Sequence, residues 1–131
     1  MVQPPKILVV EDDPEMLEIL TLNLEASGYV VVTATDGYEA LQKFDEEKPD
    51  LVTLDLAMPT ITGFRLLRLF KSSNATVPVI VLTAFSFEEA EEVARLGAVD
   101  FITKPVDFPD LYLKMERALN LRGQTAPRRD P

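Results

Sequence analysis

The chain contains no cysteine, which excludes a disulfide framework and thiolate chemistry. It has no histidine either, so histidine-based catalysis and zinc sites with His or Cys ligands are excluded as well. No apolar run approaches the roughly 20 residues that span a bilayer. The first such run is only Ile7-Leu8-Val9-Val10, too short for a secretory signal, and the expected location is the cytoplasm, with no membrane partner. Basic residues are scarce at the front: residues 1–55 hold 3 of the 13 lysines and arginines but 13 of the 22 acidic side chains. That imbalance argues against direct nucleic-acid binding. It also concentrates carboxylates where a cation could be held.

What remains is the composition of one globular domain, 47% hydrophobic and 27% charged over 131 residues, long enough to bury a sizeable core. Four short runs are almost wholly apolar: Ile7 to Val10, Tyr29 to Val32, Leu51 to Leu54 and Val79 to Leu82. Their β-branched content predicts strands, and unbroken apolarity predicts burial on both faces, as in a parallel sheet. A fifth run, Val99 to Thr103, alternates as an edge strand does. Helical patterns lie between them. Asp13-Pro14 opens the first, with Leu17, Leu20 and Leu24 on one face and Gly28 as its stop. Asp36 to Glu39 and Ser86 to Glu89 have capping-box spacing. A third helix is expected from about Gly63 to Lys71 with Leu66, Leu67 and Phe70 inward, and a fourth ending at Gly97. The last starts near Asp107 and buries Leu111, Met115, Ala118 and Leu119.

Five β-α units with right-handed crossovers imply an α/β three-layer doubly wound fold. A flavodoxin-like (βα)5 order 2-1-3-4-5 is favoured over a Rossmann half, because Glu11-Asp12-Asp13-Pro14 stands where a glycine-rich fingerprint would be. Residues 1–121 would form the domain. Residues 122–131, polar and with two prolines, read as a disordered tail or the start of a linker.

Ligands of open α/β sheets bind beyond the carboxyl ends of the strands. In the favoured order those ends bring Glu11, Asp12, Asp55, Thr83 and Lys104 to one rim. Asp13 is read as a helix cap. Three carboxylates crowded together raise one another's pKa unless a cation sits among them. Mg²⁺, which uses few protein carboxylates and keeps several waters, suits the set better than Ca²⁺. Lys104 can pair with a phosphoryl oxygen and the Thr83 hydroxyl can donate to one. The set reads as an aspartyl-phosphate site in which a carboxylate attacks phosphorus.

Val9-Val10-Glu11-Asp12-Asp13, Leu54-Asp55-Leu56-Ala57-Met58-Pro59 with Gly63 eight positions after Asp55, Leu82-Thr83-Ala84 and Phe101-Ile102-Thr103-Lys104-Pro105 follow in order. With these motifs the chain, from about Lys6 to Leu121, closely resembles the receiver domain of bacterial two-component response regulators. The resemblance implies that Asp55 is the phosphoacceptor. Asp12 and Asp55 would bind Mg²⁺ directly, Glu11 mainly through water, and the Ala57 carbonyl would be a further ligand. Thr83 and Lys104 would contact the phosphoryl group, the Lys104–Pro105 bond would be cis, and Phe101 would be the switch aromatic. The donor would be a sensor histidine kinase or a histidine phosphotransfer protein. The chain would be a regulatory switch rather than a turnover enzyme.

The same resemblance implies that Ala57 and Phe85 flank the approach to phosphorus, where neither side chain can orient water, so slow self-hydrolysis is expected. A haloacid-dehalogenase-type phosphatase would need a second aspartate where Ala57 stands. A flavin carrier would need a hydroxyl- and glycine-rich loop in place of Glu11-Asp12-Asp13. A receiver-like module that binds partners without phosphorylation is the remaining alternative. The expected output surface is helix four, strand five and helix five, within residues 85–119, engaging a second copy or an effector domain. Leu113 lies opposite the buried stripe of the last helix, with Arg117 one turn on and Glu88, Glu89, Glu91 and Glu92 on the preceding helix.

Overall fold

The computed structural model describes residues 3–58, 61–84 and 87–127. The expected cap Ser86, the water-approach residue Phe85, Pro59 of the third-strand motif and residues 128–131 of the tail lie outside the described residues. The elements in chain order are β1 (Lys6–Val10), α1 (Pro14–Ala26), β2 (Val30–Ala34), α2 (Gly37–Glu47) and β3 (Leu51–Asp55), then α3 (Gly63–Ser73), β4 (Val79–Thr83), α4 (Phe87–Arg95), β5 (Asp100–Thr103) and α5 (Phe108–Leu121).

Local chemistry explains the helix ends. The side chain of Asp13 accepts from the Glu15 amide, Asp36 from Glu39, Thr62 from Arg65 and Asp107 from Asp110, each satisfying an otherwise orphaned N–H. In α2 the reciprocal bond reaches one residue further back than a capping box requires, because Glu39 Oε1 accepts from Thr35 N–H at 2.9 Å. α1, α4 and α5 close on Gly28, Gly97 and Gly123, all at positive φ. At each, the glycine N–H and the next N–H bond back into the last turn, for example Gly28 to Glu25 and Tyr29 to Leu24. Only glycine adopts that left-handed backbone without a Cβ penalty.

The five strands are parallel in the order β2-β1-β3-β4-β5, the flavodoxin-like arrangement expected. Handedness then assigns the layers. The chain moves one way from β1 to β2 and the opposite way from β2 through β5, so right-handed crossovers put α1 on one face and α2, α3 and α4 on the other. The cores match. Leu20 and Leu24 of α1 join Leu111, Met115 and Leu119 of α5 over Ile7, Val9 and Ile80. Phe44 of α2, Leu66, Leu67 and Phe70 of α3 and Val93 of α4 cover Leu8, Val52 and Val81. The rings of Phe44 and Phe70 stack with centroids 4.6 Å apart.

β1, β3 and β4 are buried along nearly their whole length, as their unbroken apolar runs predict. The second run is a correction. It forms a strand from Val30 to Ala34 that is only partly buried, because β2 is an edge strand with a neighbour on one side only. Tyr29 precedes that strand and is buried in the core shared with α1 and α5. Beyond α5, Arg122 Nη1 donates to the Asp50 carbonyl at 2.8 Å.

Candidate functional site

The direction of travel reverses between β1 and β3, so the loops leaving these two strands diverge to opposite faces and open a crevice at their carboxyl ends. Glu11 follows β1, and its amide donates to the Ala34 carbonyl at 3.0 Å, anchoring the start of the loop. Its side chain is almost wholly buried (1% exposed). One oxygen, Oε2, accepts from the Asp13 N–H at 3.2 Å. Asp55 ends β3 and is also buried, with Oδ1 accepting from the Ala57 N–H at 3.0 Å. Asp12 is exposed at the mouth of the crevice. Carboxylate oxygens of Glu11, Asp12 and Asp55 lie within 4.8 Å of one another, the one such group found among the described residues.

Lys104 closes the cluster. Its ammonium is 2.9 Å from Glu11 Oε1 and 3.4 Å from Asp55 Oδ2. Its backbone N–H donates to the Thr83 carbonyl at 3.2 Å, tying the ends of β4 and β5 together. The Lys104–Pro105 bond is cis. Thr83 is buried at the end of β4. Ala57 is exposed between buried Leu56 and Met58, which pin the loop on either side of it.

The electrostatics follow from this crowding. Burial, the largest influence, lifts the Glu11 carboxyl from 4.5 to about 7. The Lys104 contact pulls it down, and the neighbouring Asp55 pushes it up. For Lys104 burial disfavours the charged form, but Glu11 and Asp55 outweigh that and its pKa is raised. A buried, anionic, oxygen-only pocket with one ammonium has the donor chemistry of a hard divalent cation site.

Glu11, Asp12, Asp55 and Lys104 thus converge, with Thr83 and Ala57 adjoining through the backbone contacts given. Phe101 is outside the cluster, 37% exposed on the edge strand β5. Two contributors are less evident in the sequence. Asp13 does more than cap α1, since its N–H fixes Glu11; a carboxylate two residues before an N-cap is the available signal. Gly63 is packed so closely that a Cβ would stand 2.4 Å from Leu56 Cα and 2.8 Å from the Asp55 carbonyl oxygen. It thereby sets how near α3 comes to the end of β3.

The fold has counterparts among solved structures. A response regulator receiver domain protein from Clostridium thermocellum superposes with a TM-score of 0.87 at 31% identity, covering 91% of this chain and 97% of that one. A receiver domain protein described as CheY-like, from Methanospirillum hungatei, gives 0.87 at 30% identity over 92% and 97%. The family model described as the response regulator receiver domain matches residues 7–116. The chain belongs to that family, whose members work in two-component signalling. Among curated relatives, the alkaline phosphatase synthesis transcriptional regulatory protein PhoP of Bacillus subtilis is 39% identical over 124 residues, which are 93% of this chain and 51% of that protein. The transcriptional regulatory protein GlrR of Escherichia coli is 40% identical over 129 residues, 98% of this chain and 28% of that protein. The chain therefore spans about half or less of the length of these relatives. Among the described residues no helix is long and apolar enough to cross a membrane.

Proposed function

We propose that the chain is a phosphorylation-dependent switch in which Asp55 accepts a phosphoryl group from a phosphohistidine of a sensor kinase or phosphotransfer protein. The observation that carries this reading is the carboxylate group of Glu11, Asp12 and Asp55 within 4.8 Å, with the Lys104 ammonium against two of its members. An Asp55 oxygen attacks phosphorus in line with the departing imidazole nitrogen. The P–N bond breaks, an acyl phosphate P–O bond forms, and the donor histidine leaves neutral once it holds a proton. Lys104 moves with the transferred group, exchanging a carboxylate partner for a phosphoryl oxygen. The Thr83 hydroxyl donates to a second oxygen.

The oxygen-only group of Glu11, Asp12 and Asp55 fits Mg²⁺; Asp12 and Asp55 would hold it directly, Glu11 through water, and the Ala57 carbonyl would be a further ligand. When bound, Mg²⁺ supplies positive charge that offsets repulsion between the carboxylates and the incoming phosphoryl group. Thr83, drawn toward the phosphoryl group, would let Phe101 turn inward, reshaping α4, β5 and α5. That face would then favour a second copy or an effector domain, a population shift rather than a new fold. Exposed Leu113 and Arg117 support this choice of face. The switch unit would be residues 1–121, acting in the cytoplasm as a regulator and not as a turnover enzyme.

Incubation with acetyl phosphate and Mg²⁺, read by intact mass, tests the reading. The parent should gain one phosphoryl group, and Asp55→Asn should gain none while keeping its circular dichroism spectrum. Stoichiometric labelling of the variant would place the acceptor elsewhere.

A further inference from the structure

Lys114 of α5 is held on several sides. Its ammonium donates to the Phe101 carbonyl at 2.9 Å, pairs with Asp110 at 3.2 Å and Asp100 at 3.7 Å, and lies 5.6 Å from the centroid of the Phe101 ring. The lysine side chain is 21% exposed, so the charge is held in place rather than waving in solvent. Phe101, whose ring it covers, is 37% exposed. A phenyl ring has no hydroxyl with which to anchor itself at an edge strand. A cation over its face needs none.

The ring also has somewhere to go. In the β4–β5 register Phe101 stands opposite Val81, and Thr103 opposite Thr83. Side chains two apart share a face, so Phe101 and Thr83 lie on the face that α3 and α4 cover. A hollow of about 160 Å³, bordered by Ala90, Val93, Ala94, Ala98, Val99 and Asp100, adjoins the ring. Among the described residues that lining is alanine and valine apart from Asp100 and the ring itself, which leaves room for the ring to turn toward α4.

We propose that Lys114 is a positioning residue that holds the Phe101 ring outward in the unmodified chain and so sets how readily it turns when Asp55 is phosphorylated. The second half rests on the reading of Asp55 as phosphoacceptor; the first does not. Of the Lys114 contacts, the carbonyl bond and the two ion pairs can persist while the ring rotates about its side-chain bonds. The contact with the ring face cannot. That contact is the term by which Lys114 biases the rotamer.

The test places 4-fluorophenylalanine at position 101 and reads its ¹⁹F shift in the unmodified chain. Lys114→Met should raise the ratio of turned to outward ring about two- to fivefold, the Boltzmann factor of a partly exposed cation–π contact. Lys114→Arg should restore the parental shift. Asp110→Asn, which removes an ion pair but leaves the ammonium over the ring, should also match the parent. An unchanged shift in a folded Lys114→Met chain would overturn the proposal. So would a shift in Asp110→Asn as large as in Lys114→Met, since the ion-pair network would then be responsible. If Lys114→Met does not fold, Lys114→Gln with rescue by Lys114→Arg decides the same question. Because these spectra need no phosphorylation, a chain that never labels at Asp55 would refute the phosphoacceptor reading and leave this result standing.

Discussion

Replacing Gly63 by alanine should damage the site from outside it. The added Cβ would sit 2.4 Å from Leu56 Cα, 2.8 Å from the Asp55 carbonyl oxygen and 2.9 Å from Leu56 Cδ2. Ordinary contact begins near 3.4 Å, so α3 and the end of β3 must separate by about 1 Å. Two of the three obstacles are backbone, which cannot swing aside as a side-chain tip would. Overpacking of this kind costs about 1–3 kcal/mol. The Gly63 N–H to Leu56 carbonyl bond, 3.2 Å long, is strained or lost as well, adding about 1 kcal/mol. With a urea slope of about 1–3 kcal/mol per molar, the unfolding midpoint should fall by roughly 1 M. The moved backbone belongs to Asp55 and Leu56, next to Ala57. A misplacement of about 1 Å at a reacting group costs up to about a hundredfold in rate. Labelling by acetyl phosphate, followed by intact mass, should therefore slow by one to two orders of magnitude. Gly123→Ala is the control: its φ is +88° but nothing lies within 4 Å of the new Cβ. It should lose about 1 kcal/mol from the left-handed backbone alone and label at the parental rate. A Gly63→Ala chain with the parental urea midpoint would refute the steric argument. One that is destabilised as expected but labels normally would sever Gly63 from the site.

The Glu11 carboxyl is raised to about 7 against 4.5 unfolded, so without metal the stabilising contribution of its bound proton is complete below about 4.5 and lost as pH rises through 7, up to about 3 kcal/mol. Urea midpoints between pH 5 and 8 check this, and Glu11→Gln should flatten that part of the profile. Mg²⁺ affinity by titration calorimetry should rise across the same window, since the cation requires the ionised carboxylate; a pH-independent affinity would count against Glu11 as a participant. Thr53 is buried in β3 with its hydroxyl unpartnered, so the near-isosteric Thr53→Val should be neutral or stabilise by about 1 kcal/mol in thermal unfolding. Ala57 offers no side chain to orient water at the site, so the phosphorylated parent should persist for minutes to hours, and Ala57→Asn should shorten its lifetime severalfold in a mass-spectrometric decay series.

Much of the molecule is determined by short-range chemistry and is legible in the sequence. Asp13, Asp36 and Asp107 cap helices because a carboxylate at that spacing reaches a free N–H. Gly28 and Gly97 end helices because the backbone there must turn left-handed. The unbroken apolar runs of β1, β3 and β4 imply a sheet covered on both faces, and right-handed crossovers then bring Glu11, Asp12, Asp55, Thr83 and Lys104 to one rim. Tertiary structure decided the rest. The run from Tyr29 to Val32 is as apolar as the others, yet β2 is half exposed, since which strand lies at the edge depends on the order of all five. Lys104 meets Glu11 across 93 residues and Asp55 across 49, distances set by sheet register and packing that no local pattern encodes. The upward shift falls on Glu11 because burial depth, the largest cause, is a property of the folded crevice. Lys114 looks like any helix lysine until β5 is laid beside α5 and its ammonium comes over the ring of Phe101.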